Sequence, residues 1–162
     1  DFFFPILLFF VIIYSKLYIF IVLHEKAWWG IMINKYKTYK KVGAIDKRIA
    51  NKVGFEFYGN VYASPGVLKH IRKRHGRQLT KNIKDNLTII IERIIGSPDF
   101  IGMNKKNKES GALQLVKKID AYIMLILEVD LDYEYIYVSS MYPVTKSKMR
   151  NKIYSGTLKE AV

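Results

Sequence analysis

The sequence predicts an α+β domain. Helices from its first half pack on one face of a four-stranded antiparallel sheet, a short C-terminal helix follows, and an apolar extension precedes the domain. Three observations carry this. Apolar residues recur every three to four positions between Ser64 and Gly96, the spacing of a helix face. After Pro98 the period drops to two, the spacing of strands. The mean hydropathy of +0.01 averages two unlike pieces, because Phe2 to Leu23 carries one charge, Lys16, and nearly all other charge lies beyond it.

Phe2–Leu23 (FFFPILLFFVIIYSKLYIFIVL) has the length of a membrane span of about 20 residues. A central lysine costs about 2.5–3.5 kcal/mol, which many Phe, Ile and Leu residues at a few tenths each offset. Trp28, Trp29 and then Lys35, Lys37, Lys40 and Lys41 resemble an interfacial belt and a positive-inside flank. No basic n-region precedes the run and no A-x-A-like site follows it, which fits a cleaved signal poorly. A membrane anchor through residues 1–23, a buried apolar helix and translated sequence ahead of the natural start therefore stand side by side. Because Asp1 replaces an initiator Met, a true start upstream is expected. His24 beside the run is read as interfacial. On the anchor reading, the remainder is a cytoplasmic domain held at the membrane.

Asn34–Lys52 is Lys-rich, contains Gly43 and reads as a linker into a short helical stretch, so the division is 1–41 for the extension and 42–162 for the domain. Phe55, Phe57, Val61 and Tyr62 around Gly59-Asn60 predict a short strand or hairpin. Ser64-Pro65 then opens a helix as N-cap and first helical residue, and Gly76 closes it. A second helix spans about Lys81 to Ile95, with Ile83, Leu87, Ile90, Ile91 and Ile94 on one face, ended by Gly96 and Pro98. Four strands follow, Phe100–Met103, Ala112–Val116, Tyr122–Val129 and Glu134–Tyr142, separated by turn-like NKKNKESG, KKID and DLD. Ile123, Leu125, Leu127 and Val129 alternate with Tyr122, Met124, Ile126 and Glu128. One sheet face is therefore aliphatic and covered by helices, and the other is mixed, rich in tyrosine and open to solvent or ligand. A helix from about Ser147 to Ser155 completes the domain.

Composition limits the chemistry. The 162 residues contain no Cys, which excludes a disulfide scaffold, a Cys-ligated zinc site and a thiol nucleophile. Three His leave little for a metal centre, and neither a metal nor another cofactor is expected. The formal charge is +13, and Val42–Val162, with 21 basic and 12 acidic residues, holds +9 of it. The basic character belongs to the domain and favours a polyanionic partner.

Two constellations stand out. In KHIRKRHGR, Lys69–Arg77, a helical wheel at about 100° per residue puts His75 near the centre of the Val67/Leu68/Ile71 stripe. His70 and Arg74 share its shoulder. His75 fits a satisfied core or capping histidine as well as a catalyst, and Arg72, Lys73 and Arg74 fit a solvated face. In YIYVSSMYPVTKSKMRNKIYSG, Tyr135–Gly156, a strand delivers Ser139, Ser140 and Tyr142 to a helix carrying Lys146, Lys148, Arg150 and Lys152. Hydroxyls and cations at a helix N-terminus suit a phosphodiester. An ordinary capped, lysine-decorated helix fits the same residues.

HIRKRHG (His70–Gly76), IIGSPDFIGMNKKNKES (Ile94–Ser110), LQLVKKID (Leu113–Asp120) and YIYVSSMYPVTKSKMRNKIYSG together resemble the phage-associated barnase/EndoU/colicin/RelE-like (PBECR) nuclease domains, over about Tyr62 to Leu158. The resemblance implies a BECR-like fold and a metal-independent ribonuclease of toxin or effector type. In that chemistry the ribose 2′-OH attacks the adjacent phosphate, leaving a 2′,3′-cyclic phosphate and a 5′-OH. It assigns His70 as acid or base with His75 as partner or orienter, and Ser139, Ser140 and Tyr142 as contacts to phosphate or 2′-OH. Arg74, Arg77, Lys146, Lys148, Arg150 and Tyr154 become substrate or phosphate contacts. The implied partners are an RNA, such as a tRNA or mRNA, and an immunity or antitoxin protein. A non-catalytic RNA- or DNA-binding module and a membrane-attached scaffold are the competing expectations.

Overall fold

A computed structural model describes residues 38–104 and 111–161. By their internal contacts, Tyr39–Val162 form one compact unit. Among the described residues the order is β1 (Lys40–Ile45), α1 (Lys47–Val53), β2 (Gly59–Ala63), α2 (Pro65–His75), α3 (Lys81–Asp85), α4 (Leu87–Gly96), β3 (Phe100–Asn104), β4 (Ala112–Lys118), β5 (Tyr122–Asp130), β6 (Tyr135–Val144), α5 (Lys146–Tyr154) and β7 (Leu158–Glu160).

The expected antiparallel meander is present as β3–β6, but the expectation of a four-stranded antiparallel sheet is wrong. The sheet has seven strands in the order β1-β2-β6-β5-β4-β3-β7 and is mixed, since β2 runs parallel to β6. The chain leaves β2, passes through α2, α3 and α4 and the β3–β5 meander, and returns as β6 beside β2. Sequence concealed the added strands for separate reasons. β1 (KKVGAI) reads as a linker because Lys40, Lys41 and Gly43 mask its two buried residues, Val42 and Ile45. It also contains a bulge between Lys41 and Gly43, where Gly43 takes φ +149° and a Cβ would come 2.7 Å from Ile95 Cγ2. β7 (LKE) has only three residues, too few for a period. Of the stretch expected as strand or hairpin, Phe55 and Phe57 precede β2 and pack edge to face at 5.9 Å.

α2 starts as expected, with Ser64 Oγ accepting from Val67 N at 3.1 Å and Pro65 in the first turn. Gly76 caps it at φ −58°, in right-handed rather than left-handed geometry. The expected second helix is two. Asn86 (φ −113°) separates α3 from α4, and its Nδ2 donates to Asn82 O at 3.0 Å and to Asn82 Oδ1 at 3.1 Å. The apolar stripe hides this break because Ile83 and Leu87 are both buried across it.

The main core joins Ile71, Ile83, Leu87, Ile91 and Ile94 of the helices to Leu125, Leu127, Ile136 and Val138 of the sheet. Each such buried side chain contributes about 1.5–3 kcal/mol. A smaller cluster, Val116, Met124, Val144, Met149 and Leu158, lets α5 cover part of the second face through Met149. Phe2–Leu23 lies outside the described residues, and among those described no helix is long and apolar enough to cross a membrane.

Candidate active site

The site is built on an irregularity in β6. In the β5–β6 ladder Ile126 pairs with Ser140 and Leu127 with Val138, so Ser139 is an extra residue, a β-bulge. Side chains alternate along a strand. Without the bulge, Ser140 and Tyr142 would follow Ile136 and Val138 into the aliphatic core. With it, Met141 enters that core, and Ser140 and Tyr142, paired with Ile126 and Met124, turn to the other face. Bulges commonly re-aim side chains beside active sites in this way.

α2 supplies the opposite wall. β2 pairs in parallel with β6 over a short stretch, Val61↔Ile136 and Tyr62↔Tyr137. The chain then turns into α2, which packs on β6 and is anchored by the fully buried Ile71. His70, Arg74, His75, Ser139, Ser140 and Tyr142 line one concavity of about 390 Å3. The His70 and His75 rings lie 6.5 Å apart at 76°, and those of His75 and Tyr142 are 5.5 Å apart at 38°. His70 and Arg74 are exposed, whereas His75, Ser139, Ser140 and Tyr142 are half-buried.

Burial, reinforced by the charges of Arg74 and His70 and opposed in part by Gln78, holds the His75 imidazole below its ordinary value. His75 is therefore neutral near pH 7 and able to accept a proton. Its Nδ1 is sealed from solvent without a hydrogen-bond partner, an arrangement that cores avoid and functional sites tolerate. Burial raises the Tyr142 phenol, keeping it a neutral donor, and its hydroxyl contacts Met124 Sδ at 3.4 Å.

Six of the residues singled out in the sequence thus meet in one cavity. Arg77, Lys146, Lys148, Arg150 and Tyr154 do not line it. Arg77 is exposed beyond α2, and the three cations are exposed on α5. Tyr154, in the last turn, is 96% exposed. At the start of α5 the Thr145 hydroxyl accepts from Lys148 N at 3.3 Å and takes up one of the free amides that would otherwise face an anion.

The PDF stretch has a structural role that sequence did not expose. Asp99 Oδ2 accepts from Lys118 N at 2.8 Å, Asp99 Oδ1 pairs with Lys117 Nζ at 3.2 Å, and Lys117 also donates to the Ser97 carbonyl. Sequence also missed Tyr39 and Tyr62, whose rings contact Tyr135 at 6.3 and 6.0 Å. Their proximity depends on the unforeseen β1–β2–β6 pairing. Among the described residues no group of three or more His, Asp or Glu is placed to hold a metal ion.

A family model described as PBECR3, phage-Barnase-EndoU-ColicinE5/D-RelE like nuclease, matches residues 40–151, more than half the chain and all six cavity residues. No curated protein and no solved structure matches.

Proposed function

The chain belongs to the phage-Barnase-EndoU-ColicinE5/D-RelE like nuclease family, and from that premise we propose that it is an endoribonuclease that cleaves RNA by 2′-OH transesterification without a metal ion. The observation that carries this reading is the convergence of two imidazoles, a guanidinium, two serine hydroxyls and a phenol in one concavity. Such a reaction needs a base, an acid and donors around the developing phosphorane charge, and side chains of this chain can serve in each role.

His75, neutral near pH 7 because of its burial, takes the proton of the 2′-OH. The 2′-oxygen attacks phosphorus, the bond from phosphorus to the 5′-oxygen breaks, and His70 delivers a proton to that leaving oxygen. The products are a 2′,3′-cyclic phosphate and a 5′-OH. Arg74 places positive charge beside the non-bridging oxygens, and Ser139, Ser140 and Tyr142 donate hydrogen bonds to them. Half-burial of this wall lowers the local dielectric and strengthens each of these contacts.

The test is to incubate the purified chain with mixed RNA in EDTA and analyse the new ends. Cyclic-phosphate termini, absent with His70→Ala and with a substrate carrying a 2′-deoxy residue at the cleaved position, are expected. Bound but intact RNA would leave a nucleic-acid-binding module in place of an enzyme. Cleavage of the 2′-deoxy substrate would refute the transesterification step.

A further inference from the structure

Of the four cations on α5, Lys146, Lys148 and Arg150 are exposed, whereas Lys152 is half-buried. Lys152 stands three residues after Met149 and so shares its helix face, and Met149 packs into the cluster of Val116, Met124, Val144 and Leu158. The Lys152 ammonium is thereby laid on β4, where it donates to Gln114 Oε1 at 3.3 Å.

Gln114 belongs to the sheet face that carries the cavity. It alternates with Leu113 and Leu115 of the main core and therefore points to the opposite side. Its partner on β5 is Ile126, whose partner on β6 is Ser140. Gln114, Ile126 and Ser140 thus form one row across the sheet, with the half-buried Ile126 between the two polar residues. Two strand spacings set Gln114 about 9–10 Å from Ser140, and Lys152 does not line the cavity itself.

Packing alone gives no reason for an uncompensated charge at this place. Lys117, which is 13% exposed, is tied to the Asp99 carboxylate and the Ser97 carbonyl. Lys152 instead meets the neutral amide of Gln114, and among the described residues no carboxylate pairs with it. Gln114, at 4% exposure, is the one polar residue fully buried among those described. Fixing a lysine in one rotamer costs side-chain entropy, and a single hydrogen bond to a neutral partner offsets little of it. An ammonium has three donors, so donors remain for an anion.

We propose that Lys152, held by Gln114, binds a phosphate next to the cleaved one, as a second anchor on the substrate across the sheet from α2. The proposal rests on the ribonuclease reading of the cavity and adds to it a residue that positions the chain. Two strands away from Ser140, the ammonium is too distant for the reacting phosphate and suits its neighbour along the backbone. A phosphate held there fixes register without reading sequence.

The test uses the full chain and oligonucleotides with one cleavable ribose, in which each phosphate flanking the cleaved one is in turn replaced by an uncharged methylphosphonate. With wild type, one flanking replacement should lower kcat/KM about tenfold, the worth of one hydrogen bond to a charged group. Lys152→Met keeps the apolar stem and removes the charge. It should lose a similar factor on the all-phosphate substrate and nothing further at that one position, and Lys152→Arg should recover most of the loss. A variant that is merely destabilised loses rate on every substrate alike, so the coupling between residue and phosphate decides. Equal methylphosphonate losses for wild type and Lys152→Met at every flanking position overturn the proposal and leave the ribonuclease reading intact. If no RNA is cleaved, that reading fails, and binding of 2′-O-methyl oligonucleotides with the same replacements decides the contact by itself. An affinity loss at one position in wild type that is absent in Lys152→Met supports it, and equal losses overturn it.

Discussion

Replacing His75 by leucine separates the cost of this residue to the fold from its value to the reaction. Nδ1 of His75 is buried without a partner, and an unsatisfied buried polar atom costs about 1–3 kcal/mol. Leucine is close in volume, brings no polar atom and keeps the apolar contacts of the site. It loses the ring contact with Tyr142 at 5.5 Å, a kind of contact that contributes about 0.5–1.5 kcal/mol. The difference runs from about −0.5 to +2.5 kcal/mol and centres on a gain of about 1 kcal/mol for His75→Leu, and each kcal/mol moves the melting temperature by roughly 3–5 °C in a domain of this size.

The gap should depend on pH with a definite sign. Burial holds folded His75 below the ordinary value of 6.5, so below about that pH the unfolded chain binds a proton that the folded chain resists. Wild-type stability contributed by this group therefore falls as pH drops through that value towards the folded one, by at most about 1.4 kcal/mol per pH unit. His75→Leu lacks this loss, and its advantage should widen in acid. The assay is urea or thermal unfolding of both proteins between pH 5 and 8, beside cleavage rates, where removal of a general base should cost about 10²–10⁴-fold. A variant less stable than wild type by more than about 1 kcal/mol at pH 7.5 would mean that His75 is a satisfied core residue. Undiminished cleavage would remove it from the mechanism.

The depressed His75 places the acid limb of kcat/KM below the ordinary imidazole value of 6.5, and a limb above that pH refutes the assignment of His75 as base. Asp99→Ala removes the carboxylate partner of Lys117, whose side chain is only 13% exposed, and should destabilise by about 1–3 kcal/mol in a urea titration while cleavage persists. An unchanged midpoint would show the pair to be inert. Gly102→Ala puts a Cβ 2.2 Å from the Thr157 carbonyl oxygen, so β7 must move off β3, at a cost of about 1–3 kcal/mol. Amide exchange at Leu158–Glu160 should accelerate, and unchanged protection there contradicts the β3–β7 packing. Replacing Lys146, Lys148 and Arg150 together by alanine should flatten the salt dependence of RNA affinity by about 0.7 in log–log slope per lost phosphate contact and leave kcat unaltered. An unaltered slope means that these three cations do not touch the substrate.

What sequence disclosed and what it concealed divide along physical lines. Local signals were reliable. Ser64-Pro65 did start a helix, and the period-two runs after Pro98 became β3, β4, β5 and β6 within a residue or two at each end. Pairing between distant segments left no such trace. β1 owes its place to β2, and β2 to β6 some 75 residues later, and no periodicity encodes that. The break at Asn86 was invisible for the opposite reason, because the apolar stripe continues across it and periodicity reports burial rather than backbone continuity.

The same division explains why six site residues were legible while their geometry was not. His70, Arg74 and His75 share one helix face by arithmetic, and Ser139, Ser140 and Tyr142 are neighbours in the chain. Strict alternation applied from Ile136 onward, however, sends Ser140 and Tyr142 into the aliphatic core and Met141 to the opposite face. The single extra residue at Ser139 reverses this, and a bulge has no composition of its own from which to be read. Burial is consistent with the reversal, since Met141 is 0% exposed while Ser140 and Tyr142 line the cavity. The bulge lies just past the last β2–β6 pair, Tyr62 and Tyr137, on β6, against which α2 packs. One irregularity in β6 thus separates a strand that would only complete a core from one that presents hydroxyls to a histidine-bearing helix.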